Sequence, residues 1–135
     1  MYTNILVPVM MDHAHDYGTA LDIARRLRKD GGTITMLHVI DDVPVYAAQY
    51  LPEGHLKDRK DEVLTAMKAD LGGVKDVHPV VVSGHSGRTI LDYAEAQEVD
   101  CIVIASHRPG MQDYFLGSTA ARVVRHAACS VHVIR

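Results

Sequence analysis

Short apolar runs alternate with segments of helical periodicity along the whole chain, and this alternation is what most limits its fold. The predicted elements are a strand at 2–9, a helix at 14–28, a strand at 33–40, a helix at 55–71, a strand at 77–82, a helix at 86–97, a strand at 101–105, a helix beginning at Ser118 and a strand at 130–134. Strict alternation with nearly continuous apolar strands is typical of a parallel sheet covered by helices on both faces. With 135 residues, the chain is predicted to form a single α/β domain that spans residues 1–135.

Glycines and one irregular stretch mark the predicted ends of the helices. Asp30-Gly31-Gly32 predicts a glycine C-cap for the first helix, and Gly72-Gly73 ends the second. Residues 41–54 follow neither helical nor strand periodicity, so they predict a long ordered loop or a broken helix start. Irregular segments of this length in compact domains are often functional.

The order of the strands follows from the loops and from one proline. Doubly wound sheets commonly have the order 2-1-3-4-5 or 3-2-1-4-5, and ligands bind outside the carboxyl ends of the strands, where the winding reverses. Pro79 suits an edge strand because it cannot donate a ladder hydrogen bond, and polar turn-forming segments follow strands 1, 2 and 4. These features predict an open five-stranded parallel sheet of order 3-2-1-4-5, with the reversal between strands 1 and 4.

This reversal predicts the position of a ligand site. The residues gathered there are Pro8, Val9 and Met10 after strand 1, Val39, Ile40 and Asp41 at the end of strand 2, Ala105, Ser106, His107, Arg108 and the following turn to Gly110 after strand 4, and Ser83-Gly84-His85 beside them.

The start of the last helix adds the chemistry of an anion site. Its first backbone N–H groups lack partners within the helix and carry the positive end of the helix dipole. Ser118 is a natural N-cap, and Gly117 before it lets a phosphate oxygen approach the backbone. Arg108 is able to clamp phosphate oxygens with two parallel hydrogen bonds. Alone, Ser118 is better explained as a cap and Arg108 as a solvated loop residue, but their combination at the reversal favours an anion site.

The charge balance and composition exclude several classes of protein. The net charge is -3, and the chain has no Trp and a single Phe, so neither a basic face nor stacking aromatics for nucleic acid are expected. We expect no membrane partner, because no apolar run is long enough to span a bilayer. Cys101 and Cys129 lie in apolar strand-like surroundings, which is typical of a reducing compartment, and the start of the chain lacks a signal peptide pattern. A cytoplasmic location is therefore expected.

No catalytic or metal-binding motif stands out. His13 and His15 in the stretch DHAHD would point to different faces of a helix, so residues 12–16 predict a surface helix start and no metal is assigned. The chain has no P-loop and no Gly-x-Ser-x-Gly sequence.

The frame ILVPV, MLHVID and ASHRPGMQDYFLGSTAARVVRHAACSVHVIR resembles the universal stress protein superfamily over nearly the whole chain. It is most similar to the small single-domain bacterial nucleotide-binding type with a Ser-His-Arg-Pro … Leu-Gly-Ser stretch. The resemblance implies the sheet order 3-2-1-4-5, a homodimer, and ATP or AMP as the ligand, and it leaves Mg²⁺ open as a companion ion.

Three features depart from the pattern that this resemblance implies. Ala105 and Arg108 stand where the nucleotide-binding branch has two glycines, and eight residues instead of nine separate Arg108 from Gly117. Met10 stands where an Asp is usual, and the nearest acid comes later, at Asp12. We interpret the first two departures as a variant of the phosphate site. For the third, two alternatives stay open: Asp12 substitutes for the usual Asp, or the ribose is held in a different way.

The resemblance also implies roles for individual residues. Val39 would meet adenine through its backbone, Pro8 and Val9 would line the same pocket, and Gly84 would lie near the ribose and phosphates. The residues that would serve the phosphates are Ser106, His107, Arg108, Gly117, Ser118 and Thr119.

The last strand suggests an assembly. Residues Ser130, Val131, His132, Val133 and Ile134 form an apolar outer edge in a 3-2-1-4-5 sheet, and an exposed apolar edge is a pairing hazard unless it is covered. Pairing with a second copy would cover it, so we predict a homodimer through this strand.

Three functions stay open at this point. The chain is predicted to be a cytoplasmic stress-response protein that binds an adenine nucleotide as a regulatory ligand. The alternatives are a slow ATP hydrolase or phosphotransferase, with His107 and Asp12 as the candidate groups, and a ligand-free protein-interaction module. Weak ATPase activity is the most that we expect, and no residue is assigned a catalytic role.

Overall fold

A computed structural model describes residues 1–10, 17–106 and 116–135. Its elements are β1 (Tyr2–Pro8), α1 (Gly18–Leu27), β2 (Arg28–Ile40), α2 (Val45–Ala48), α3 (His55–Leu71), β3 (Val77–Ser83), α4 (Ser86–Ala96), β4 (Cys101–Ala105), α5 (Ser118–His126) and β5 (Ser130–Ile134). The five strands form one parallel sheet in the order β3-β2-β1-β4-β5. The predicted fold class and strand order are confirmed, and Pro79 lies in the edge strand β3.

The two faces of the sheet carry separate cores. On one face, Ile5, Val7 and Met36 of the sheet are buried with α1 and α3. On the other face, Leu6 and Ile102 are buried with α4 and α5. Successive strand residues point to opposite faces, and each fully buried aliphatic side chain contributes about 1.5–3 kcal/mol. Helices are therefore held on both faces, as the continuous apolar strands predict.

The first helix ends earlier than its glycines predict. α1 ends at Leu27, and its C-cap, Arg28, is already extended with φ −72° and ψ 133°. β2 begins at Arg28, which pairs with Tyr2, so the predicted C-cap at residues 30–32 is wrong. Gly31 has a φ of +79° and lies at an irregularity of β2 instead. Residues 14–16 of the predicted helix lie outside the described residues.

Charged side chains explain why the chain turns at this point. Arg25 at the end of α1 donates from Nε to Asp76 Oδ2 at 2.8 Å, and Arg28 Nη1 lies 3.8 Å from the same oxygen. Asp76 directly precedes β3. The hydrogen bond and the positive charge of Arg25 lower the pKa of this carboxyl. The pair of arginines thus joins the end of α1 to the entry of the edge strand.

The irregular segment 41–54 contains a short helix, α2, and leads to Gly54, the N-cap of α3. α3 ends at Leu71, and the left-handed backbone of Gly72 provides the predicted glycine C-cap. Apart from α1 and the start of β2, the observed boundaries lie within one residue of the predicted ones.

Candidate functional site

The winding of the sheet reverses between β1 and β4, and we call the space beyond the last paired residues of these two strands the crevice. β1 stays paired with β2 as far as Pro8 and Leu37, whereas its pairing with β4 ends at Leu6 and Ile102. Both strands continue beyond that pair, and β4 reaches Ala105. The two strands are therefore unpaired with each other at their carboxyl ends, which is where doubly wound sheets place ligands.

Three predicted site residues follow the first strand into this crevice. Pro8 is half-buried, and Val9 is 8% exposed, with its N–H donating to the Leu37 carbonyl at 2.8 Å. Met10 is 41% exposed. Asp12, the predicted substitute for an earlier acid, lies outside the described residues. Apolar side chains therefore follow the end of β1, and the last of them, Met10, is accessible to solvent.

His38 of β2 forms a hydrogen bond to the segment that follows β1, a role that the sequence did not reveal. Its Nδ1 lies 3.2 Å from the Val9 carbonyl oxygen. Because a carbonyl oxygen only accepts, Nδ1 carries the proton and donates it. Burial lowers the pKa of His38, and the positive charge of Arg59 lowers it further. The ring is therefore neutral at pH 7. The sequence signal for this contact was a His near the carboxyl end of a predicted inner strand.

Val39 and Gly84 lie at the exits of the two remaining strands on this side. Val39 is half-buried, and the Gly84 N–H donates to the Ile40 carbonyl at 2.9 Å. Gly84 has a φ of +146°, which side-chain-bearing residues rarely adopt. A β-carbon there would also overlap Thr89 Oγ1. Both facts require glycine at the turn that leads into α4.

Ser106 connects the exit of β4 with the start of α5. It is 3% exposed, its N–H donates to the Ile134 carbonyl at 2.8 Å, and its carbonyl accepts from the Gly117 N–H. Ala105 before it is exposed. The predicted phosphate residues Ser106 and Gly117 are therefore brought together, at the carboxyl end of β4. His107, Arg108 and Gly110 lie outside the described residues.

The cap of α5 differs from its prediction. Gly117, with φ −55° and ψ 152°, is the N-cap, and its carbonyl accepts from the Ala121 N–H at 2.8 Å. Ser118 is instead the first helical residue, so its predicted role as the N-cap is wrong. No side chain caps the start of this helix in the described part of the chain. The first N–H groups of α5 consequently remain open to an external acceptor.

A cavity of about 360 Å³ lies between the starts of α4 and α5. Ser118 and Thr119 line it from α5, and His85 and Ser86 line it from α4. The Ser86 and Thr119 hydroxyl oxygens lie 3.1 Å apart. One hydroxyl donates to the other, which leaves the second O–H able to donate elsewhere. Arg122 and Arg125 of α5 line the same cavity, which we call the α4–α5 groove.

A second cavity of about 410 Å³ lies between the ends of β2 and β3 and the start of α3. Its lining mixes the carboxylates of Asp41 and Asp42 with the cations of Lys57 and Arg59, among apolar side chains. The irregular segment 41–54 thus does line a cavity.

Residues 1–10, 17–106 and 116–135 contain no group of three or more His, Cys, Asp or Glu side chains placed to hold a metal ion. Among the same residues, no helix is both long and apolar enough to cross a membrane.

An open parallel sheet of this order, with helices on both faces, defines a doubly wound α/β fold. The sequence profile of the universal stress protein family matches residues 1–135. The chain therefore belongs to the universal stress protein family, as its resemblance predicts.

Individual relatives are similar to this chain over almost its full length. A universal stress protein from Methanothermobacter thermautotrophicus is 30% identical, with 100% of this chain and 97% of that protein covered. The universal stress protein UspA from Lactobacillus plantarum has a similar structure, with a TM-score of 0.73, 29% identity and coverage of 99% and 98% of the two chains.

Two solved structures that share the fold contain nucleotides. An Arabidopsis thaliana universal stress protein family protein with AMP bound has a TM-score of 0.60 at 22% identity, with 98% of this chain and 90% of that chain covered. A universal stress protein in complex with cAMP has a TM-score of 0.60 at 19% identity, with 99% and 97% covered.

Proposed function

We propose that this chain binds an adenine nucleotide, ATP or AMP, in the crevice between the ends of β1 and β4. The nucleotide acts as a regulatory ligand in a cytoplasmic stress response. The observation that carries the proposal is the start of α5. No side chain of the described residues caps it, and the Ser106–Gly117 hydrogen bond holds it at the exit of β4. Backbone N–H groups in this arrangement bind phosphate.

The described residues fit the two halves of a nucleotide. Gly84 supplies a surface without a β-carbon at the turn after β3, and the open N–H groups of α5 suit the phosphates. The apolar side chains of Pro8 and Val9 suit the flat face of adenine, and Val39 would meet adenine through its backbone. His107 and Arg108 remain predicted phosphate contacts. Support also comes from the relatives, since AMP and cAMP are bound by family members of the same fold.

The crevice itself is tested by filling it. Ala105 lies exposed at the carboxyl end of β4, whereas Ala96 lies exposed at the end of α4, near the opposite edge of the sheet. Isothermal titration with AMP should show binding to wild type, at least about tenfold weaker binding to Ala105→Leu because a bulkier side chain occupies the crevice, and unchanged binding to Ala96→Leu. Tenfold corresponds to about 1.4 kcal/mol.

Two results would count against the proposal. The first is the absence of heat with both AMP and ATP for folded wild-type protein. The second is equal affinity in the two leucine variants, which would place any bound nucleotide away from the crevice.

A further inference from the structure

The side chain of His38 takes the place of a backbone donor where the pairing of β1 with β2 stops. The Val9 N–H still donates to the Leu37 carbonyl at 2.8 Å, as in a parallel ladder. The next bond of such a ladder would run from the Val39 N–H to the Val9 carbonyl. The His38 ring donates to that carbonyl instead, with Nδ1 3.2 Å from the oxygen. Within the described residues, no backbone hydrogen bond joins Val39 to Val9.

The direction of the Val39 backbone follows from its neighbours in β2. In a parallel strand, the N–H and the C=O of one residue point to the same side, and successive residues alternate sides. The Leu37 carbonyl faces β1, since it accepts from Val9, and the Ile40 carbonyl faces β3, since it accepts from Gly84 at 2.9 Å. Val39 lies two residues after Leu37. Its N–H and C=O therefore point across the end of β1, toward the crevice.

The surroundings of the Val9 carbonyl explain why the ring matters. Val9 is 8% exposed and packs, like Met36, in the core that contains α1 and α3. His38 is two residues after Met36, so its side chain lies on the same face of the sheet. A carbonyl in buried surroundings requires a donor. Without the ring, the donor that the ladder supplies is the Val39 N–H.

We propose that His38 is a positioning residue for the base of the nucleotide: by donating to the Val9 carbonyl, it keeps the Val39 N–H and C=O available to the ligand. This inference rests on the proposed function. An N–H beside a C=O matches the edge of adenine, which presents an acceptor at N1 beside the donor amino group at C6. Guanine presents the reverse, a donor at N1 beside the acceptor O6. The arrangement that His38 maintains therefore selects adenine over guanine.

The test measures the dissociation constants of AMP and GMP by isothermal titration in one buffer. Wild type should bind AMP at least about tenfold more tightly than GMP, because a site built for one set of hydrogen bonds leaves polar groups unpaired with the other. His38→Leu keeps a branched side chain but has no donor, so the Val39 N–H should turn to the Val9 carbonyl. The AMP to GMP preference should then fall about tenfold, mainly through weaker AMP binding.

Two matched variants separate the donor from the shape of the side chain and from general effects on the sheet. His38→Asn places an N–H donor on the carbon that carries Nδ1 in histidine, so it should restore the preference to within about threefold of wild type. His78 lies exposed on the edge strand β3, and His78→Leu should leave the preference unchanged. Thermal unfolding of each variant confirms that it is folded. If His38→Leu does not fold, His38→Val, which also lacks a donor, takes its place.

The possible failures are distinguishable. If AMP binds wild type but is not preferred over GMP, or if His38→Leu keeps the full preference, only this inference falls. If His38→Asn loses as much preference as His38→Leu, the packing of the ring and not its hydrogen bond matters, and the inference is overturned. An equal loss in His78→Leu would overturn it as well. If folded wild type binds neither nucleotide, the proposed function falls together with the inference.

Discussion

Replacing Gly84 by alanine should destabilise the protein through two separate effects that the structure allows us to tell apart. A φ of +146° in a residue with a β-carbon costs about 1–3 kcal/mol. The new β-carbon also overlaps Thr89 Oγ1, and overpacking of this kind costs about 1–3 kcal/mol. We therefore expect the free energy of unfolding to fall by about 3 kcal/mol.

The two effects are separated by a control and a double variant. Gly73 has a φ of +84° but has nothing within 4 Å of an added β-carbon, so Gly73→Ala should cost only about 1 kcal/mol from the backbone. Removing the overlapping hydroxyl in Gly84→Ala/Thr89→Ala should recover about 1 kcal/mol relative to the sum of the single changes.

Urea unfolding followed by circular dichroism measures the free energy of unfolding of all four variants, Gly84→Ala, Gly73→Ala, Thr89→Ala and the double variant. A loss of 3 kcal/mol corresponds to a fall of roughly 10 °C in the melting temperature for a chain of this length. A Gly84→Ala variant as stable as Gly73→Ala would refute the overlap. Additive effects of the Gly84 and Thr89 changes would refute the contact between them.

Three other predictions concern ionisable groups and assembly. The pKa of Asp76 is lowered mainly by its hydrogen bond with Arg25, so its contribution is present above the unfolded pKa near 4 and is lost as the pH falls through the lower folded value. Asp76→Asn should therefore cost about 0.5–1 kcal/mol at pH 7 and almost nothing near pH 2, and equal losses at both pH values in urea titrations would contradict this. Burial raises the pKa of Cys101 to about 11, so this thiol should react with a disulfide reagent at pH 8 only after unfolding, and fast labelling of the native Cys129→Ser variant would contradict its burial. β5 is an edge strand with His132 at its middle, so light scattering should show a dimer for wild type and monomers for His132→Asp, in which carboxylates oppose each other across the pair; a wild-type monomer at micromolar concentration would end the dimer proposal.

The fold was predictable from local signals because each signal acts on neighbouring residues. Apolar runs and helical periodicity predicted the elements, and Pro79 together with the polar loops predicted the strand order. The end of α1 was not predictable from Gly31 and Gly32. There, pairing of Arg28 with Tyr2 and ion pairs to Asp76 begin the strand before the glycines are reached.

The site was predictable only in its outline. The carboxyl ends of the strands and the start of α5 follow from topology, but the cap at Gly117 depends on a hydrogen bond to Ser106 that comes from another element. The bond of His38 to Val9 and the crossing of Arg122 over Gly87 join residues far apart in the sequence. No local pattern records such contacts, so the groove emerged from the structure alone.

Native mass spectrometry of protein purified gently from cells tests the central claim most directly, because it reports the oligomer and any retained nucleotide together. We expect a homodimer that carries one adenine nucleotide per chain, with occupancy completed by added ATP. A spectrum of bare chains that gains no mass when ATP or AMP is added to the folded protein would contradict the account.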